Sequence, residues 1–400
     1  MSKSSVLPRP VDHPLPRAAV VDRAGSSAIR DLLHLTQRPE VLSLAGGLPA
    51  PETFPASLLA EAAAEALAPG AADAALQYGT TEGHPGLRAL VGEPFGAGLD
   101  EVVITHGSQQ ALELLVRATV DPGDTVALAE PAYLGAVQVC RAADARLLPI
   151  RRDEQGLDPD HLAELLAAGE RPRLVYVVAN HDNPTGATLA VERARRLAEL
   201  ADRYGFVIVD DDPYGALRWA GTPCPPARTL TERAVALGSV SKVLAPGLRV
   251  GWAIGPAPLI RAVVQLKQQA DLDTGAFNQD VVFRARTRHG AWGPHLAGVR
   301  EHHRRRAAAL DAALADRFGD RLRRTVPEGG MFTWATFEDA SIDTDALLPR
   351  AVEAGVAYVP GRCFAVGGDL RSSLRLSFAT ATPDELTDAV DRLAGVIPSA

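Results

Sequence analysis

The sequence predicts an α/β protein built on a mainly parallel, seven-stranded sheet, followed by a smaller α+β domain. Three observations lead there. Seven short apolar runs rich in β-branched residues lie between residues 100 and 256. Helix-period segments separate them, as the crossovers of a right-handed, doubly wound sheet require. After about residue 290 the texture changes to one long Arg/Ala-rich helix, then short strands and a closing helix.

The expected strands are Val102–Thr105, Thr125–Ala129, Leu147–Ile150, Leu174–Val178, Phe206–Val209, Ala234–Leu237 and Val250–Ile254. Gln109–Thr119 follows a Gly-Ser start, and Val191–Tyr204 repeats Leu197, Leu200 and Ala201 at helical spacing before Gly205 ends it. Leu58–Ala68 places Glu61 and Glu65 one turn apart and reads as an amphipathic helix. Past the large sheet, a helix over Leu296–Arg317 precedes strands near Met331–Thr336, Ala357–Val359 and Leu374–Ser377, and a helix starts at Pro383. The expected division is a flexible segment 1–26, an arm of the small domain over 27–45, a large domain 46–290 and a small domain 291–400.

With 400 residues, of which 46% are hydrophobic, the chain can bury a large core. Its net charge of −8 offers no basic surface for a phosphate backbone, so nucleic acid is not an expected partner. Cys140, Cys224 and Cys363 are odd in number and widely spaced, which fits a reducing, cytoplasmic compartment. No signal-like or membrane-length apolar run is visible. The run Arg300–Arg306 holds two adjacent histidines rather than a pair one turn apart, so no metal is expected there and the segment reads as a solvated helix face.

Four strand ends carry residues suited to chemistry. Lysine is scarce: only Lys3, Lys242 and Lys267 occur among 41 basic residues. Lys242 sits in Gly238-Ser239-Val240-Ser241-Lys242, where apolar surroundings would depress the amine's pKa and make it nucleophilic toward an aldehyde. Asn180-His181-Asp182-Asn183-Pro184-Thr185-Gly186 follows the fourth strand, at the carboxyl end where α/β sheets bind ligands. Asp210-Asp211-Asp212-Pro213-Tyr214 closes the fifth, with three acids that would face one another at a cost unless a cation such as a protonated pyridine nitrogen sits among them. Thr105-His106-Gly107-Ser108 enters a helix and exposes amides that suit a phosphate. Taken singly, these are also an ordinary loop lysine, a turn, an acidic turn and a helix cap. Together they match the parts of one phosphorylated pyridine aldehyde.

On these motifs, with Leu44-Ala45-Gly46-Gly47, Gln77-Tyr78-Gly79, Glu130-Pro131-Ala132-Tyr133 and Leu374-Arg375-Leu376-Ser377, the chain resembles fold-type I aminotransferases of classes I and II. The resemblance runs from about Ser27 to the C-terminus. It points to the branch of 2-aminoadipate and kynurenine aminotransferases, related to the aminotransferase-like half of MocR-type regulators. It implies a pyridoxal 5'-phosphate cofactor and transfer of an amino group between an amino acid and a 2-oxoacid in a ping-pong cycle. Lys242 would hold the cofactor as a Schiff base and move the substrate's α-proton. Asp211 would pair with the ring nitrogen, Asn183 and Tyr214 with the ring oxygen, and Tyr133 would stack on the ring. Ser108, Gln109, Ser239 and Arg249 would hold the phosphate, with Tyr78 reaching it from the second subunit of a homodimer. Arg375 would clamp the substrate carboxylate, Gly47 and Asn183 would contact the substrate, and Arg30 would meet a distal acid.

The same cofactor also serves elimination, decarboxylation, cyclisation and oxidation, and the outcome depends on which Cα bond stands perpendicular to the ring. A regulator would need a DNA-binding module, and only about 26 residues precede the matched region. Two departures stand out: His181-Asp182 where relatives have Phe-Gln, and Val240 where an aromatic often precedes the Ser-Lys pair. An acidic Asp182 near the substrate would favour a cationic side chain such as a guanidinium; pointing away into solvent, it would select none.

Overall fold

The computed structural model describes residues 16–25 and 40–398. Its large sheet comprises β1 (Val102–Thr105), β2 (Thr125–Ala129), β3 (Arg146–Ile150), β4 (Pro172–Val177), β5 (Val207–Asp211), β6 (Ala234–Ser239) and β7 (Gly251–Ile254). The spatial order is β1-β7-β6-β5-β4-β2-β3. All seven expected strands are present, and β7 alone runs antiparallel to its neighbours. Strands β1, β2 and β6 are buried along their whole length, because helices cover both faces; that is why they read as continuous apolar runs rather than alternating ones.

Helix boundaries follow local chemistry. Val191–Tyr204 ends where Gly205 turns left-handed at φ 83° and its N–H returns to the Ala201 carbonyl. The helix expected from Gln109 begins one residue earlier, at Ser108. Strand β5 runs two residues beyond the expected Val209, which carries Asp210 and Asp211 into the sheet.

A second sheet packs β8 (Leu322–Arg324), β9 (Phe332–Phe337), β10 (Val359–Pro360) and β11 (Ser373–Ser377) antiparallel in the order β8-β9-β11-β10. Leu42–Ser43 pairs in parallel with Val356–Ala357 beside it. The closing helix Pro383–Val396 starts on a capping box made by Thr382 and Glu385. Trp292–Phe318 joins the two cores: Val299 packs with the large sheet, and Leu310, Leu314 and Phe318 pack with the second.

That helix corrects one expectation. Glu301, Arg304 and Arg305 are exposed, but His302, His303 and Arg306 are buried. Arg306 donates to Glu52 at 2.8 Å and to the Ala381 carbonyl at 2.9 Å, and burial pushes the His303 pKa down to about 4. A helix lodged between two cores buries even its charged stripe. Among the described residues, no helix is long and apolar enough to cross a membrane.

Candidate active site

The carboxyl ends of β4, β5 and β6, the N-terminus of the helix Ser108–Thr119 and the middle of β11 converge on a cavity of about 240 Å³. Lys242, Asp211, Asn183, Tyr214, Tyr133, Ser108, Gly47 and Arg375 all line it. Lys242 Nζ donates to the Gly47 carbonyl at 2.7 Å. Burial first, then the charges of Arg375 and Arg249, bring its pKa down to about 8 against the pull of Asp211. The other described lysine, Lys267, serves a different purpose: fully buried, it donates to Asp271 at 2.7 Å. Asp271 in turn bonds His106 Nδ1 at 2.8 Å and Gln110 at 2.6 Å, bracing the turn ahead of Ser108.

The three consecutive acids repel one another, Asp212 raising the pKa of both Asp210 and Asp211, yet each has its own partner. Asp210 accepts from the Ala227 N–H at 2.9 Å, and Asp212 accepts from Gly215 at 2.6 Å and Asn180 at 3.2 Å. Only Asp211 reaches the cavity, since neighbours on a strand point to opposite faces. Its Oδ2 accepts from the Tyr176 hydroxyl at 2.9 Å, whereas Oδ1 is buried with no hydrogen-bond partner among the described residues. Burial raises its pKa to about 6 despite the Tyr176 bond. A protonated pyridine nitrogen supplies both the donor and the positive charge that this oxygen lacks.

A phosphate fits the other end. Gly107, at φ 77°, caps the helix Ser108–Thr119, whose first amide groups are free of intrahelical partners. Arg249, itself left-handed at φ 52°, donates to the His106 carbonyl at 3.0 Å and lies over Gly107. Ser239 and Ser241 share a hydroxyl hydrogen bond of 2.8 Å at the end of β6. A Cβ at Gly251 would fall 2.5 Å from the Gly107 carbonyl carbon and 2.6 Å from the Ser108 nitrogen. Gly251→Ala should therefore push this turn outward at a cost of about 1–3 kcal/mol, read as weaker cofactor retention in equilibrium dialysis. Retention equal to wild type would contradict the close approach.

Arg375 is 1% exposed. It donates to Asn183 Oδ1 at 2.8 Å and to the Ala45 carbonyl at 2.6 Å, while its guanidinium lies 4.2 Å from the Phe332 ring centre and 5.0 Å from that of Phe364. Burial raises the Tyr214 hydroxyl far above its ordinary value, so it stays protonated as a donor. The Tyr133 hydroxyl donates to Gln109 Oε1 at 3.1 Å.

Not every expected residue lies in the cavity wall. Gln109, Ser239 and Arg249 are not part of it, and Tyr78 stands 80% exposed on a loop tied by the Gly79 N–H to Asp273 at 2.7 Å. Arg30 lies outside the described residues. Tyr176 and Phe332, which line the cavity, were not singled out in the sequence; inside apolar strands they carry no local signal. Ser241, adjacent to Lys242, could have been found as a second hydroxyl in the same motif.

Asp182 takes neither of the two places the sequence left open to it, substrate contact or solvent. Its carboxylate is buried in an ion pair with Arg152 and accepts from the Thr185 hydroxyl at 2.9 Å, away from the cavity wall. His181 is fully buried against Gly329 and Gly330, and Val240 belongs to the core. Both departures are packing changes behind the site.

This fold, with a half-buried amine, a carboxylate whose one oxygen has no partner and a glycine-led helix N-terminus at its strand ends, defines a pyridoxal-phosphate enzyme. Residues 40–393 match the family described as aminotransferase class I and II, and the chain belongs to that family. It is 41% identical to a 2-aminoadipate transaminase of Thermus thermophilus, over 93% of this chain and 94% of the relative. It is 39% identical to aromatic-amino-acid aminotransferase 1 of Thermococcus litoralis, over 93% and 91%. The crystal structure of Pyrococcus horikoshii kynurenine aminotransferase, in complex with PMP, matches with a TM-score of 0.88 at 38% identity, covering 93% of this chain and 94% of that one. The protein is an aminotransferase that uses pyridoxal phosphate and acts on amino acid and 2-oxoacid substrates.

Proposed function

We infer that this aminotransferase takes 2-aminoadipate-like and aromatic amino acids, kynurenine included, and that Lys242, Asp211 and Arg375 carry the reaction. The observation that supports this most is the pinning of Lys242 and Arg375 by carbonyls two residues apart, those of Gly47 and Ala45. It sets an amine and a carboxylate-binding fork on one cavity. Bound pyridoxal 5'-phosphate supplies an aldehyde that condenses with primary amines and a ring that accepts the electron pair released at Cα.

The chain's own residues do the rest. Lys242 is the attachment amine and the base that takes the proton from the substrate Cα at Nζ. Asp211 keeps the ring nitrogen protonated, and Tyr214 and Asn183 donate to the ring oxygen. Tyr133 covers the ring face. Ser108, Gln109, Ser239 and Arg249 secure the phosphate. Arg375 grips the α-carboxylate bidentately, with Gly47 and Asn183 beside it, and Arg30 meets a distal acid.

A homodimer completes the site through Tyr78. That aromatic is exposed next to Leu76 and near Leu272, both more than half exposed, a patch that a second copy would cover. The division into 46–290 and 291–400, with 27–45 as an arm of the second unit, draws support from the two cores and from Leu44 and Ala45 packing in the second. Three free cysteines support a cytoplasmic location.

The apolar wall formed by Leu48, Val178 and Phe332 favours aromatic and long aliphatic side chains over cationic ones. A panel of L-2-aminoadipate, L-kynurenine, L-phenylalanine, L-leucine and L-arginine, each with 2-oxoglutarate, tests the assignment by product analysis. Kynurenine and phenylalanine, and 2-aminoadipate with its distal acid met by Arg30, should turn over at least about tenfold faster than arginine, the ratio expected from one unpaired charge against apolar groups. Arginine as the fastest donor would overturn it.

A further inference from the structure

Glu130 stands at the carboxyl end of β2, one residue past the strand and three before Tyr133. Its carboxylate does not face the cavity. It accepts instead from three successive main-chain amides of the segment before β11. Val366 N–H lies 2.9 Å from Oε1 and 3.1 Å from Oε2, Gly367 N–H 2.7 Å from Oε2, and Gly368 N–H 3.2 Å from Oε2. Consecutive amides turned toward one point form an anion-binding nest, and a carboxylate is the side chain best able to fill it. Two residues along, the Ala132 N–H donates to the Phe364 carbonyl at 2.9 Å. A three-residue edge of the large sheet thus grips the segment from Phe364 to Gly368.

What that grip holds is the far wall of the carboxylate fork. The Phe364 side chain is fully buried, its ring edge-on to Trp334 at 5.8 Å and beneath the Arg375 guanidinium at 5.0 Å. Arg375 Nε has no hydrogen-bond partner among the described residues, so the plane of the fork is held by its bonds to Asn183 and Ala45 and by the two rings on its faces. Phe332 belongs to β9, paired directly with β11. Phe364 belongs to a segment that the Glu130 edge ties by main-chain hydrogen bonds to the large-sheet end carrying Tyr133.

We propose that Glu130 is a positioning residue for substrate recognition: by filling the amide nest of Val366–Gly368 it keeps Phe364 against Arg375 and sets the guanidinium plane that receives the substrate carboxylate. This rests on the reading of Arg375 as the carboxylate clamp. Glutamine in place of Glu130 keeps the size but offers one acceptor oxygen and turns an NH₂ toward the amides, so the nest loses its charge and part of its bonding.

The test compares two donors on the holoenzyme in single turnover, followed by the cofactor absorbance. One is whichever amino acid of the panel above reacts fastest. The other is the primary amine it would leave on losing its carboxylate. For Glu130→Gln, the second-order rate constant for the amino acid should fall about tenfold, the loss expected of one charged hydrogen bond. That for the amine, which does not use the fork, should stay within about twofold, with an unchanged far-UV circular dichroism spectrum marking an intact fold. A fall shared equally by both donors, or no fall in either, would overturn the proposal. Arg375→Ala serves as the reference. If it abolishes the preference for the carboxylated donor and Glu130→Gln does not reduce it, the latch is wrong and the clamp stands. If Arg375→Ala leaves the preference intact, the clamp reading itself fails.

Discussion

Replacing Lys242 with alanine is expected to lower kcat by at least about 10⁴-fold, the upper range for loss of a positioned proton-transfer group that is also the point of covalent attachment. It is the one described lysine in the cavity, and burial and two nearby arginines bring its pKa down to about 8. A meaningful fraction of the amine is therefore neutral near physiological pH. The variant should still take up pyridoxal phosphate through the turn at Ser108 and the carboxylate of Asp211, but release it on dialysis and lack the absorbance of the covalent form. Lys242→Arg separates charge from chemistry, because a guanidinium keeps the positive charge and cannot give up its proton. It should be as inactive as alanine. The pH dependence has a definite sign: the neutral amine is the nucleophile, so covalent uptake by wild-type apoprotein should accelerate as pH rises toward about 8 and level off above it. Retention of the covalent absorbance in either variant would remove Lys242 from its assigned role.

Asp211→Asn is expected to act in opposite directions on the apoprotein and the holoenzyme. The carboxyl is buried beside Asp212, and its folded pKa of about 6 lies above the unfolded value of 3.8. A group raised in this way binds its proton more tightly in the folded state. Its contribution is most favourable below about pH 4 and is lost as pH rises through 6. Above pH 6 the charged, unpartnered oxygen thus costs the apoprotein on the order of 3 kcal/mol, and asparagine removes that cost while keeping an acceptor for the Tyr176 hydroxyl. The apo variant should melt higher than wild-type apo at pH 8 and show no such gain at pH 4. With cofactor bound, the sign reverses. Asparagine cannot hold a proton on the ring nitrogen, so kcat should fall by about 10²-fold or more and the stabilisation by cofactor should shrink. Scanning calorimetry of both forms at the two pH values, with one activity assay, checks all of this. An apo variant less stable than wild type at pH 8 would mean that the carboxylate is not stranded in the empty fold.

Much of this protein is readable from the chain because the controlling interactions are local. A strand covered on both faces must be apolar throughout, and a left-handed glycine ends a helix wherever it sits, so all seven strands of the large sheet and the end of Val191–Tyr204 are visible as patterns. Lys242, Asn183, Asp211 and Ser108 are visible for a related reason: each sits where a strand stops, and polar residues there interrupt the apolar run.

The remainder depends on partners far apart in the chain. Nothing near Asp182 in the sequence announces that Arg152 will neutralise it, so an acid next to the binding loop reads as a substrate contact when it is a buried brace. Tyr176 looks like one more apolar strand residue until the pleat aims its hydroxyl at Asp211. The stripe at His302, His303 and Arg306 reads as solvated until a second core closes over it. Asp210, Asp211 and Asp212 look like one cluster, and in the fold each takes its own hydrogen-bond partner while the alternation of the strand turns Asp211 alone to the cavity.

Sequence alone determined the fold family and, through the resemblance its strand-end motifs carry, the cofactor, and it named candidate residues to hold that cofactor, since secondary-structure period and the functional group at each strand end are local properties. Tertiary structure decided which of those groups are charged, which are already satisfied and which are left facing the cavity. Electrostatics and burial are properties of the assembled neighbourhood, and contacts such as Glu130 with Val366–Gly368 or Arg375 with Ala45 exist only after strands hundreds of residues apart have been brought side by side.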